Sequence, residues 1–69
     1  MKLSARNQLK GTIAKIEEGA VNGIVTIDLG GASIKSVITM ESIRELGLEE
    51  GKEAYAVVKA SNVRVGVDE

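Results

Sequence analysis

Val21-Asn22-Gly23-Ile24-Val25-Thr26-Ile27-Asp28-Leu29-Gly30-Gly31-Ala32-Ser33-Ile34 is the stretch that decides the fold of this chain. Val21, Val25, Ile27 and Leu29 share one phase of a two-residue period. Asn22, Thr26 and Asp28 occupy the other phase, broken by Ile24. Successive side chains of a strand point to opposite faces, so this alternation predicts a half-buried β-strand. Gly30-Gly31 supplies the freely rotating pair of a tight hairpin turn. Beyond it, Ile34, Ile38 and Met40 fall on one face of a second strand.

Reading outward, residues 9–17 are strand-like, and Glu18-Gly19 closes them into another hairpin. One segment departs from the β pattern. In Glu41-Ser42-Ile43-Arg44-Glu45-Leu46, Ile43 and Leu46 stand three apart, and Gly47 follows where a helix-terminating glycine belongs. Residues 53–59 are apolar on both faces, with Ala54, Ala56 and Val58 against Tyr55 and Val57. Such a strand expects cover on both sides, which in so small a chain means contact with another subunit. Val63, Val65 and Val67 alternate cleanly and predict a last strand. The order is three strands, a short helix, then two strands. That order predicts an all-β fold, a five-stranded Greek-key barrel of the OB type with the helix between strands 3 and 4. Residues 1–69 form a single domain in this reading.

Composition narrows the function. The chain has 69 residues, no Cys, no His and one Tyr. A disulfide or thiolate-metal cluster is thereby excluded, and so is the side chain that most often moves protons near neutral pH. A core this small is marginal by itself, and oligomerisation is the remaining staple. The net charge of −1 argues against a general nucleic-acid binder, which needs a basic face. No apolar run approaches the roughly 18 residues of a membrane span. The N-terminus turns polar at Ser4, unlike a signal peptide, so the expected location is the cytoplasm.

Three short segments carry candidate chemistry. Ser4-Ala5-Arg6-Asn7-Gln8 gathers a hydroxyl, a guanidinium and several backbone N–H groups. Arg6 has a fixed fork of donors that can hold two oxygens of a tetrahedral dianion; its bland reading is a surface arginine in a weak ion pair. Ser4 offers a hydroxyl, and Ala5 offers a backbone N–H with no side chain to obstruct an anion. The bland reading of both is a frayed arm. Asn7 and Gln8 are expected to anchor that arm or a neighbouring subunit. Ile38-Thr39-Met40-Glu41-Ser42 crosses the strand-to-helix junction. Thr39 or Ser42 could cap the helix, and Ser42 with Glu45 spells a capping box; alternatively their hydroxyls face an anion. Lys59-Ala60-Ser61 repeats the chemistry as cation, small residue, hydroxyl, or else is a strand-end lysine whose stem lies along the surface. The acidic pairs Glu17-Glu18 and Glu49-Glu50 sit at turns and read as solvated charge. With no nucleophile or buried base nearby, the chain is not expected to be an enzyme.

Taken together and spanning nearly the whole chain, these three segments resemble the molbindins, the Mop/TOBE-domain family of molybdate-binding proteins. The resemblance implies a protein that binds molybdate, and tungstate with it, without cofactor or chemical change, for storage and homeostasis. It implies oxyanion ligands at Ser4, Ala5, Arg6, Thr39, Ser42, Lys59, Ala60 and Ser61, with metal bound only as its oxyanion. It further implies a homohexamer, a trimer of dimers, in which Ser4, Ala5 and Arg6 of one chain meet Lys59, Ala60 and Ser61 of another. A second class of site near the threefold axes would draw on backbone around residues 19–22. Neither nucleic acid nor membrane is an expected partner. The competing reading is an OB-fold module for nucleic acid or protein without oxyanion binding. Such surfaces present stacking aromatics in a basic groove, and this chain offers only Tyr55.

Overall fold

The computed structural model describes residues 6–68. Among them are four strands and one α-helix: β1 (Asn7–Glu17), β2 (Asn22–Asp28), β3 (Ser33–Thr39), α1 (Met40–Glu45) and β4 (Glu53–Val58), followed by a 3-10 turn at Ala60–Asn62. All pairings are antiparallel, and the strand order is β3-β2-β1-β4. A first strand lying between the second and the fourth is the Greek-key arrangement. The mostly-β OB-type class expected from the sequence is therefore the observed one, with the helix between the third and fourth strands.

β1 holds the sheet together because it belongs to two ladders. Residues 7–12 pair with β4, and residues 12–17 pair with β2, so that Thr12 faces both Asp28 and Glu53. The β1–β2 register shifts between Ile13 and Lys15, and a bulge of this kind bends a strand. Gly11 sits beside the pivot. A Cβ there would collide with the Asp28 carbonyl oxygen and lie 2.7 Å from Ile27 Cγ2. Ile13 is paired with Ile27 of β2 on one edge, and the loop before β4 bonds its backbone on the other. Ile13 N–H donates to the Lys52 carbonyl, and Gly51 N–H donates to the Ile13 carbonyl, both at 2.8 Å.

The alternation read in β2 appears as burial: Val25 is 1% and Ile27 5% exposed. Val21, in the same phase, precedes the strand and is exposed. At the hairpin tip Gly30 adopts φ +91°, and its N–H bonds to Asp28 Oδ1 at 2.8 Å. α1 closes one end of the curled sheet, burying Met40 and Ile43. Gly47 stops the helix at φ +64°. Gly47 N–H donates to the Arg44 carbonyl and Leu48 N–H to the Ile43 carbonyl, each at 3.1 Å. These are the two bonds of a Schellman ending. Nearby, the Lys52 ammonium lies 2.8 Å from Glu49 and holds that carboxyl below the ordinary carboxylate range through a hydrogen bond and charge attraction.

One expectation is corrected. Residues 63–67 pair with no strand among the described residues. They run on from the 3-10 turn with Val63 51%, Val65 91% and Val67 84% exposed. The valine alternation is real, but a strand forms only where an edge receives it. The free edge it suits is visible. The curl leaves β3 and β4 facing each other across an apolar groove of about 460 Å³, lined by Val25, Ile27, Ile38, Leu48, Ala54 and Tyr55 among others. A smaller hollow lined by Ile34, Tyr55 and Val58 among others continues it. No described residue beyond Val58 lines either one. The expectation for 53–59 is met on one face: Ala56 is buried, while Tyr55 and Val57 stay exposed.

Gly11→Ala should destabilise the fold by about 1–3 kcal/mol, since the new methyl must displace backbone. At Gly31 a Cβ would meet nothing within 4 Å, so Gly31→Ala should stay within about 0.5 kcal/mol. Urea unfolding midpoints of the two variants check this.

Candidate functional site

The two ladders sort the candidate ligands into two groups. The β1–β4 ladder ends with Asn7 opposite Val58. Arg6 immediately precedes it on one strand and Lys59 immediately follows on the other. Arg6 and Lys59 therefore stand at the same end of one ladder in the same chain, and both are exposed. Neither forms an ion pair among the described residues. Ala60 and Ser61 follow in the 3-10 turn, also exposed. Asn7 and Gln8, read as anchors of the arm, are the first two residues of β1 and pair with Val58 and Val57. Ser4 and Ala5 lie outside the described residues.

Thr39 and Ser42 belong to the other group. Thr39 pairs with Asn22 at the far end of the β2–β3 ladder, beyond the last β1–β2 pair, Glu17 with Ile24. Met40 N–H donates to the Val21 carbonyl at 2.8 Å, which ties the β1–β2 turn to the start of α1. Residues 19–22, Thr39 and Ser42 thus share one end of the molecule. Arg6 and 59–61 share the opposite end of β1, a strand of eleven residues that spans up to roughly 30 Å at about 3.3 Å per residue. The two groups do not meet within one chain.

The question of which hydroxyl caps the helix has a definite answer. Thr39 is the N-cap: its Oγ1 accepts from Ser42 N–H at 3.0 Å. Its hydroxyl donates to Ser42 Oγ at 2.9 Å. Ser42 lies inside the first turn, so the Ser42–Glu45 capping box is not formed. The Thr39 proton is engaged, whereas the Ser42 hydroxyl accepts a bond and keeps its own proton for an outside acceptor.

Electrostatics separates the Arg6 end from the larger cleft elsewhere. A hollow of about 670 Å³ beside α1 is lined by Glu18, Glu49 and Glu50 together with Arg44 and Lys52. Glu50 accepts there from Ile16 N–H at 3.2 Å. Three carboxylates make this a poor place for a dianion, and none of the candidate ligands among the described residues lines it. Arg6, Lys59 and the turn with Ser61 lie at one end of the β1–β4 ladder. That set can hold an oxyanion and has no group suited to bond chemistry. No cluster of metal-ligating side chains occurs among the described residues, and no helix among them is long and apolar enough to cross a membrane. The resemblance implies that Arg6 of one chain meets Lys59 of another; the β1–β4 register sets the two just beyond the same ladder end within one chain. The signal was there: hydroxyl, small residue, cation in Ser4-Ala5-Arg6 reverses in Lys59-Ala60-Ser61, as antiparallel segments with matched chemistry would.

Comparison with known proteins bears on this arrangement. The sequence matches the TOBE domain over residues 3–65. It is 55% identical to a probable molybdenum-pterin-binding protein of Haemophilus influenzae, over 99% of this chain and all of that one. The fold superimposes on a molybdate-binding protein from Sporomusa ovata with a TM-score of 0.91 at 34% identity, covering 97% of this chain and all of the other. It also superimposes on the cytoplasmic molybdate-binding protein ModG, solved with molybdate bound, with a TM-score of 0.91 at 54% identity. That match covers 99% of this chain and 49% of ModG.

Replacing the cap separates structure from binding. Thr39→Ala should lower the stability of the ligand-free protein by about 1 kcal/mol, while Thr39→Ser retains most of it. Chemical denaturation without oxyanion measures both.

Proposed function

The chain belongs to the TOBE-domain family, in its molbindin branch, and from that premise we propose that it binds molybdate reversibly as an intracellular store. It is a binding protein and not an enzyme, in keeping with relatives named for the molybdenum species they bind. What supports the reading is that Arg6 and Lys59, two exposed cations without carboxylate partners among the described residues, flank the last pair of the β1–β4 ladder, next to the turn that bears Ala60 and Ser61. Residues 1–69 act as one Mop domain, with Ser4, Ala5, Arg6, Lys59, Ala60 and Ser61 as ligands of one site. Thr39 and Ser42, with backbone of 19–22, belong to another cluster, and a site using both clusters draws on two chains. The ligands are donors, so a fully deprotonated tetrahedral dianion satisfies them all. Tungstate, of the same charge and shape, binds as well. Hydrogen phosphate carries a proton that needs an acceptor, and sulfate is too small for every donor to reach good distance. The working location is the cytoplasm, with neither nucleic acid nor membrane as partner.

Self-association is part of this function. Among the described residues, nine large hydrophobics are exposed against six residues buried in the core, and a core this small is marginal by itself. The groove between β3 and β4 is apolar, and 63–67 is an exposed segment of alternating valines. A second copy's 63–67 fits the groove and completes both barrels, and copies so joined build the homohexamer. The OB-fold nucleic-acid reading has little support, since Tyr55 lines the apolar groove and not a basic one.

Calorimetric titration tests the ligand. Molybdate and tungstate should bind well ahead of sulfate and phosphate; equal affinity for phosphate would contradict a donor-only site. At about 100 times the dissociation constant, molybdate should add roughly 2.7 kcal/mol per site to stability. Arg6→Ala should lose most of that gain while leaving the ligand-free melting temperature nearly unchanged. An undiminished shift in the variant places Arg6 outside the site. For the assembly, Val65→Asp should break the wild-type oligomer into smaller species at micromolar concentration. Light scattering reads the mass, and a wild-type monomer would sink the groove assignment.

A further inference from the structure

The residues assigned to the oxyanion are also the joint on which the exposed strand swings. β4 ends at Val58. The chain then makes one 3-10 turn, held by Asn62 N–H to the Lys59 carbonyl at 2.9 Å and Val63 N–H to the Ala60 carbonyl at 3.2 Å. The turn has no side-chain cap. Residues 59–68 are all exposed, and no side-chain hydrogen bond or ion pair among the described residues ties them to the barrel. Two backbone bonds therefore set the direction in which 63–67 leaves. Two bonds in a solvent-exposed turn open readily.

We propose that the bound oxyanion is a latch on this joint, so that loading the site slows the exchange of subunits between assemblies. The inference rests on the molybdate reading and on the docking of 63–67 into a second copy. Its physical content is simple. An anion held by Lys59, Ala60 and Ser61 on the turn, and by Arg6 on the neighbouring strand of the same ladder, fixes the turn relative to the barrel. For 63–67 to withdraw from a partner's groove, the joint must reorient and break those contacts. A ligand that binds only the closed joint lowers the open population by the factor 1 + [L]/Kd, about a hundredfold at 100 times the dissociation constant. When the site is empty, Arg6 and Lys59 repel across the ladder end, and the joint opens more often. The device retains the assembly while the store is full and lets it turn over when the store is empty.

The test mixes isotope-labelled and unlabelled protein and follows mixed assemblies by native mass spectrometry, with and without molybdate, alongside calorimetry of the same samples. Exchange in the wild type should slow by about a hundredfold at saturating molybdate. Inserting Gly-Gly after Ser61 keeps the ligands and the strand but uncouples them. Heat of molybdate binding should persist in that variant while most of the slowing disappears. Asn62→Gly, a milder loosening of the same turn, should move in the same direction should the insertion fail to fold. Molybdate heat with unchanged wild-type exchange overturns the latch alone, as does an insertion variant that keeps the full slowing. Absence of heat in the wild type overturns the molybdate reading and the latch with it. A wild-type monomer overturns the docking of 63–67 and, again, the latch.

Discussion

Everything else in this structure depends on Thr12 being shared by two ladders. β1 pairs along its first half with β4 and along its second half with β2, so the strand changes partners at Thr12. The register break after Ile13 and the missing side chain at Gly11 let it bend at that point. Bending at β1 brings the two outer strands of the order, β3 and β4, toward each other. β3 and β4 then flank a groove floored by Val25 and Ile27. The small core of six buried residues follows from the same geometry. The inner faces of β3 and β4 half-bury Ile34, Ile38 and Ala54 against it and await one more strand for full cover.

The bend also dictates where the polar chemistry falls. Because β1 uses opposite halves for its two partners, its start lies beside the end of β4, and its end lies beside the start of β2. Arg6 and Lys59 gather at one pole; Thr39, Ser42 and the 19–22 turn gather at the other. A chain with this topology cannot bring both groups to one ion by itself. Binding by both groups is then a property of the assembly. The side of the molecule that lacks a strand and the pole that carries the cations are joined by a single turn. In the proposed reading, packing and ligation are therefore coupled through 59–62.

Much of this was legible in the residues. The β2–β3 hairpin could be read from the valine and isoleucine phase and from Gly30-Gly31, because period and turn chemistry act over a few residues. The helix could be read from Ile43, Leu46 and Gly47 for the same reason. What could not be read is relative placement. Val63, Val65 and Val67 have the period of a strand, yet the period names a face and not the edge that will pair with it. Thr39 and Ser42 both have capping chemistry, and only the φ/ψ of Thr39 (−70°, 150°) decides which residue stands outside the helix. The meeting of Arg6 with Lys59 depends on the β1–β4 register, a contact between residues far apart in sequence.

The charge distribution explains how a chain of net charge −1 can attract a dianion. Lys10 lies 3.3 Å from Glu53, Lys15 3.9 Å from Glu17, and Lys52 2.8 Å from Glu49. All of these groups are more than two-fifths exposed, so each pair contributes little to stability. Their consequence is electrostatic: they cancel cation against carboxylate along the barrel wall and leave the field at each pole to its own residues. Glu18, Glu49 and Glu50 concentrate negative charge at the cleft beside α1. Arg6 and Lys59, at the other end of β1, have no such neighbours among the described residues. At physiological ionic strength the screening length is about 8 Å, much shorter than β1. The acidic cleft is therefore not felt at the cationic pole, and an arriving oxyanion meets two positive charges in place of the protein's average.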